Sequence, residues 1–194
     1  MQELRNLTDA IWINILMVVT SIPIVTVGAA ITAAHDANRR ALQGEAGGVT
    51  RNYFKAFRAN FAKSTALWAV FGITGAALAY AWVVLQITPL LVPKIGLTLV
   101  WIIGFEWVFA LQSRFENAVG RTLANAFVFG ISHILLTVGM IVLDAIWVGL
   151  LAACWFLFPQ GLFLLMVMGY GTMILCHIPL LERGFAQYLN SGEE

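Results

Sequence analysis

The chain has 194 residues, 60% hydrophobic and 11% charged, with 11 Lys+Arg against 10 Asp+Glu and a formal net charge of +1. A soluble domain averages about 25% charged residues, so these few charges supply too little polar surface to keep the chain in water. The mean hydropathy of +0.85 assigns an integral membrane protein, and the balanced charge excludes a basic nucleic-acid surface or an acidic disordered tail.

Formal charges divide the sequence into long neutral windows: 26 residues between Asp9 and Asp36, 30 between Lys63 and Lys94, 22 between Arg121 and Asp144, and 37 from Ala145 to Leu181. A membrane helix needs about 20 mostly apolar residues. Backbone polar groups find no water at that depth, so helices must fill the windows. The last window is too long for one crossing and breaks at Pro159-Gln160-Gly161, a turn signal. Runs such as Leu162–Val167 do not alternate, which excludes a β-barrel. The expected architecture is all-α, a single transmembrane domain over 1–194. It is an integral membrane bundle of five transmembrane helices at about 10–34, 64–88, 95–113, 131–158 and 162–181, plus a short cytoplasmic amphipathic helix at about 50–63.

The first span carries Pro23 near its middle, with Thr20, Ser21, Thr26 and Gly28 close by. Proline removes one helix hydrogen bond and neighbouring hydroxyls re-satisfy the freed carbonyl, so a helix kink is expected there. The apolar stretch is long for a cleaved leader, and it is read as a retained span. After a Gly-rich turn at 43–49 comes the segment 50–63. At about 100° per residue, Phe54, Phe57 and Phe61 gather within roughly one sixth of a turn, flanked by Arg51, Lys55 and Arg58. An aromatic face with a basic flank suits a helix in the inner interface. Two readings stand: an anchor against lipid headgroups, or a docking surface for a partner.

The second and third spans are joined by a turn marked by Pro89 and Pro93, and the third holds Glu106. At its exit lies Arg114-Phe115-Glu116-Asn117, where Arg114 and Glu116 are placed to pair with each other or with headgroups. On the fourth span His133, Thr137, Met140 and Asp144 fall along one stripe, and His177 lies on the fifth. Ionisable groups at bilayer depth are costly and mark functional candidates. Glu106, Asp144, His133 and His177 are therefore expected to line a polar cavity in the inner half of the bundle. The alternative is that they serve as structural glue between helices. Cys154 and Cys176 lack CxxC spacing, and no GxxxxGK[ST], HExxH or paired CxxC pattern occurs, so no cofactor and no metal are expected.

The loop between spans one and two carries Arg39, Arg40, Arg51, Lys55, Arg58 and Lys63, the loop after span three Arg114 and Arg121, and the C-terminal end Arg183, against Arg5 and Lys94 on the other side. The positive-inside rule then places the N-terminus outside and the C-terminus in the cytoplasm.

Several segments together, Leu7–Leu16, Ser21-Ile22-Pro23-Ile24-Val25-Thr26-Val27-Gly28-Ala29-Ala30, Tyr53–Phe61 and Arg114-Phe115-Glu116-Asn117, resemble the YesL-like family of small bacterial polytopic membrane proteins, a domain family of unknown function. The resemblance implies a multi-pass protein of the bacterial plasma (inner) membrane, encoded near ATP-driven carbohydrate importers, with no catalytic residues to carry over. The expectation is a non-enzymatic accessory or regulatory protein, associated with a carbohydrate importer and touching a membrane permease or sensor subunit. The alternative is a small transporter or ligand sensor using the polar cavity. The partners expected are the lipid bilayer and such a subunit, with no nucleic acid. Small residues at four-residue spacing, such as Ala145, Gly149 and Ala153, suit close helix contacts within one chain or in a homo-oligomer.

Overall fold

The computed structural model describes residues 2–45 and 47–190. They form α1 (Gln2–Ser21), α2 (Val27–Leu42), α3 (Val49–Val83), α4 (Leu91–Arg114), α5 (Val119–Ser132), α6 (Ile134–Leu157) and α7 (Gly161–Asn190), with single 3-10 turns at Ile24–Thr26 and Thr88–Leu90. Four helical stretches, Val49–Val83, Thr88–Arg114, Ile134–Leu157 and Gly161–Ala186, are long and apolar enough to cross a membrane. The chain is thus an all-helical, multi-pass membrane protein. The expected first span, 10–34, is not among the four.

That segment is two helices instead of one kinked helix. α1 stops at Ser21, Pro23 takes an extended conformation (φ −75°, ψ 102°), and α2 starts at Val27. Proline lacks the N–H and disfavours helix in the residue before it, and Ile22 leaves the helix here. The Thr26 hydroxyl donates to the carbonyls of Thr20 and Pro23, and the Thr20 hydroxyl donates to Leu16 O at 2.8 Å, so the break leaves its carbonyls satisfied. The two helices then fold back on each other. Thr20 and Ala30 both meet the Tyr53 hydroxyl, and Asn14 and Asn38 both bond the backbone of Gly171. Only a hairpin brings residues on either side of the break to the same places. Its tip is apolar and open, with Ile22 75% and Ile24 74% exposed.

The hairpin is a wedge. α2 packs on α1, α3, α4 and α7, and α1 packs on α3 and α7. Gly28 allows α2 and α3 to touch, since a Cβ there would lie 2.6 Å from Trp68 Cβ. Thr32 and Ser64 hydroxyls bond across the same contact at 2.8 Å. Around the wedge stand two further antiparallel pairs, α3 with α4 and α6 with α7. The first is held by a ladder of rings, Phe71, Trp101, Phe105 and Phe109, with Trp101 stacked on Phe105 at 5.0 Å.

The expected interfacial helix at 50–63 and second span are one unbroken helix. At 35 residues and 1.5 Å per residue, α3 is about 52 Å long, some 20 Å more than the hydrocarbon layer. Its first turns therefore stand beyond the bilayer as a continuation of the span. Tyr53 is buried and Phe57 packs against the core, whereas Phe54 and Phe61 are partly exposed and Arg51, Lys55 and Arg58 face outward.

α5 is an element the charge pattern does not suggest. It runs back along α4, and it ends at His133 (φ −114°, ψ 47°), where α6 begins. The Thr137 hydroxyl ties the junction, accepting from Trp107 Nε1 at 2.9 Å and donating to Gly130 O at 2.8 Å.

Candidate functional site

The site is built where the wedge meets both helix pairs. α4 supplies Glu106, α6 supplies Asp144 and α7 supplies His177, and one ligand-capable atom from each lies within 4.8 Å of the others. Three of the four residues expected to line a polar cavity are thus together. Glu106 is eight residues inside Arg114, about 12 Å along the helix, which places the group in the half of the bundle nearer the basic loops. His177 is 1% exposed and Glu106 6%, while the Asp144 side chain is 26% exposed. His177 Nε2 approaches Asp144 Oδ1 to 3.3 Å, yet among the described residues neither atom has a hydrogen-bond partner, and Glu106 Oε2 has none either.

His35 of α2 completes the neighbourhood. It is buried, its Nδ1 is also unpartnered, and it lies close enough to interact electrostatically with His177 and Asp144. A narrow crevice of about 10 Å³ lies beside it, lined by His35, Arg39, Ala110, Arg114, Leu181 and Glu182 among others. Ala110 and Leu181 are one helical turn from Glu106 and His177. Both arginines in this crevice are paired: Arg114 with Glu182 at 3.5 Å and Arg39 with Asp36 at 2.7 Å.

His133 does not join the group. It stacks on Phe129 and lies against Trp107 and Tyr188, with Nδ1 3.3 Å from Phe129 O. The reason is the α5–α6 break: His133 sits before the helix that carries Asp144, so the expected stripe starts one turn later, at Thr137. Arg114 likewise takes Glu182, far along the chain, as its partner. Glu116 is exposed in the turn between α4 and α5, and Asn117 bonds Phe115 O through its backbone N–H.

Two further features escaped the sequence reading. The first is a break in α7 at Gly169 (φ 55°, ψ −172°). This interrupts the helix, and the Asn14 side chain satisfies the freed groups, donating to Met166 O and Val167 O and accepting from Gly171 N–H. Downstream of the break, Tyr170 sets its ring edge-on to His177 at 6.4 Å between centroids. The Gly-Tyr-Gly sequence was the available signal, since only glycine takes this backbone conformation. The second is an ion network at the basic end of α2. Asp36 accepts from Arg39 and Arg40 at 2.7 Å each, and Arg40 also meets Glu45 at 2.7 Å. The hydrogen bond that Arg40 donates to Asp36 holds its guanidinium above its ordinary pKa.

Residues 10–82 match the model of a family described as a protein of unknown function, DUF624, and the YesL-like resemblance is consistent with that match. The match covers most of α1, all of α2 and α3 nearly to its end. It includes His35 and ends before Glu106, Asp144 and His177. No curated protein and no solved structure matches the chain.

Proposed function

We propose that this chain is a non-enzymatic accessory or regulatory protein of the bacterial plasma membrane that works by helix contact with a partner permease or sensor subunit. The observation that carries the reading is the shape of the polar site. Among the described residues the ionisable groups at depth sit in a packed junction of four helices, beside one small crevice. The roomier grooves, such as that bounded by Val70, Thr74, Leu97, Trp101 and Phe127, are apolar and face outward. A junction that joins helices and offers little room to a substrate suits a protein whose output is a change of packing. A carbohydrate importer is the partner class that the YesL-like resemblance implies, and it is included in the proposal.

The wedge bears on orientation. A hairpin returns the start of α1 to the side of the 39–63 loop, and Trp12 donates to the Thr50 hydroxyl there. Arg5 then joins the other basic residues, leaving Lys94 as the single lysine or arginine across the membrane, where its Nζ donates to Leu85 O at 2.8 Å. By the positive-inside rule, both termini face the cytoplasm in this proposal, in place of the outside N-terminus expected from five spans.

Affinity purification of the tagged chain from native membranes in mild detergent tests the partner. Importer permease or sensor subunits are expected to co-purify. A stable isolated oligomer carrying a bound small molecule instead favours the second reading, a ligand sensor centred on Glu106, Asp144 and His177, which their unpartnered buried atoms support.

A further inference from the structure

The geometry points to a divalent transition-metal site formed by Glu106, Asp144 and His177. The argument begins with the atoms that lack partners. His177 and Glu106 are each more than nine-tenths buried and each carries an unpartnered polar atom, Nε2 and Oε2. One ligand-capable atom of each lies within 4.8 Å of the other and of one from Asp144, whose buried Oδ1 is also unpartnered. A buried polar atom without a hydrogen bond is expensive. Three residues that carry such atoms, brought together from three helices, describe a shell suited to a shared partner.

The distances suit an ion. Bonds of roughly 2.0–2.2 Å to nitrogen and oxygen put neighbouring ligand atoms roughly 3.0–3.5 Å apart in tetrahedral or octahedral coordination. The Nε2–Oδ1 separation of 3.3 Å is already such an edge. The pair makes no hydrogen bond, as two ligands aimed at a third point would not. Remaining separations up to 4.8 Å close by a side-chain adjustment of about an ångström.

The charge balance agrees. Two carboxylates this close in a largely buried site repel, and one takes up a proton unless a cation intervenes. A divalent ion with two carboxylates and a neutral imidazole is neutral overall. An imidazole nitrogen with carboxylate oxygens selects a first-row ion such as Zn²⁺, Mn²⁺ or Co²⁺ over Mg²⁺ or Ca²⁺, which favour oxygen alone. The narrow crevice beside His35 lies one helical turn from the cluster on its basic side, with Arg39 and Arg114 held by Asp36 and Glu182. His35, whose Nδ1 has no hydrogen-bond partner among the described residues, lies within electrostatic reach of the group. Bound, the ion would clamp α4, α6 and α7 together. The inference rests on reading the cluster as a binding site, and it is separable from the partner proposal.

The test uses the full chain purified in detergent, stripped with a chelator and re-equilibrated with Zn²⁺, Mn²⁺ or Co²⁺. Wild type is expected to retain one ion per chain after gel filtration, to give Co²⁺ ligand-field bands, and to melt at a higher temperature with the ion. E106Q, D144N and H177Q should each weaken retention by at least about 100-fold, more than loss of an outer-shell contact costs, whereas H133Q should retain the ion. The inference is overturned if folded wild type neither retains these ions nor shifts its melting temperature, or if E106Q and H177Q retain them as wild type does. Failure of metal binding alongside a partner complex that dissociates in D144N would remove the metal and keep the cluster as a regulatory element. Metal binding with no partner recovered would do the reverse.

Discussion

At the scale of single residues, the least replaceable positions are set by backbone demands. Gly169 holds φ 55° and ψ −172°, and a Cβ there would collide with the Asn14 side chain. Gly169→Ala should cost about 2–3 kcal/mol, seen as a melting temperature lower by about 5–10 °C in detergent. Asn14→Ala strands two carbonyls and one N–H. It should cost about 3 kcal/mol in the same assay, and the two changes together should lose less than their sum, because they act on one feature. Asp36→Ala leaves Arg39 and Arg40 without their shared carboxylate. A loss of about 2–3 kcal/mol is expected, below the full value for a buried pair because Arg40 is partly exposed. Glu106, Asp144 and His177 were legible in the sequence as misplaced ionisable groups. Asn14 was not, because an amide in an apolar helix carries no charge to make it conspicuous.

Elements show where periodicity succeeds and where it stops. α4 fits its expected span closely, since Pro89, Pro93 and Arg114 punctuate both ends. The composition changes at Lys63 and suggests a division there, but nothing at Lys63 or Ser64 breaks a helix, so α3 continues through it. α5 is hidden in the charge pattern, because Arg121 gives 114–130 the character of a loop. Leu123, Ala126, Phe127 and Gly130 nevertheless recur at the three- and four-residue spacing of a buried helical face. On α3, Arg51, Lys55 and Arg58 point outward, so replacing all three with Gln should change stability by less than about 0.5 kcal/mol. Lost partner co-purification with unchanged membrane insertion would assign them to docking. Retained co-purification would leave them as lipid anchors.

For the whole molecule, the arrangement is a hairpin wedge between two antiparallel helix pairs, closed at its polar end by Glu106, Asp144, His177 and His35. Its apolar tip at Ile22–Val25 suits a segment that enters the hydrocarbon and returns. Reporter fusions check this directly. With both ends in the cytoplasm, as proposed, a fluorescent protein at either terminus should fold and fluoresce, and alkaline phosphatase at either end should be inactive. An active phosphatase at the N-terminus would mean that α1 and α2 together cross the membrane.

Membrane residence, helical content and the identity of the out-of-place charges were determined by the sequence alone. The reason is that the cost of placing a peptide group or a charge in hydrocarbon depends on which residues follow one another along the chain. The family match over 10–82 needed nothing more. Tertiary structure alone decided that 10–34 doubles back, that His133 stacks with aromatic rings, and that Arg114 reaches Glu182. It also decided that Glu106, Asp144 and His177 converge on one point. A proline break permits both a kink and a reversal, and packing against α3 and α7 selects the reversal. Likewise an ionisable residue on a helix face has a partner only once the neighbouring helices are in place, and those neighbours lie far away in sequence.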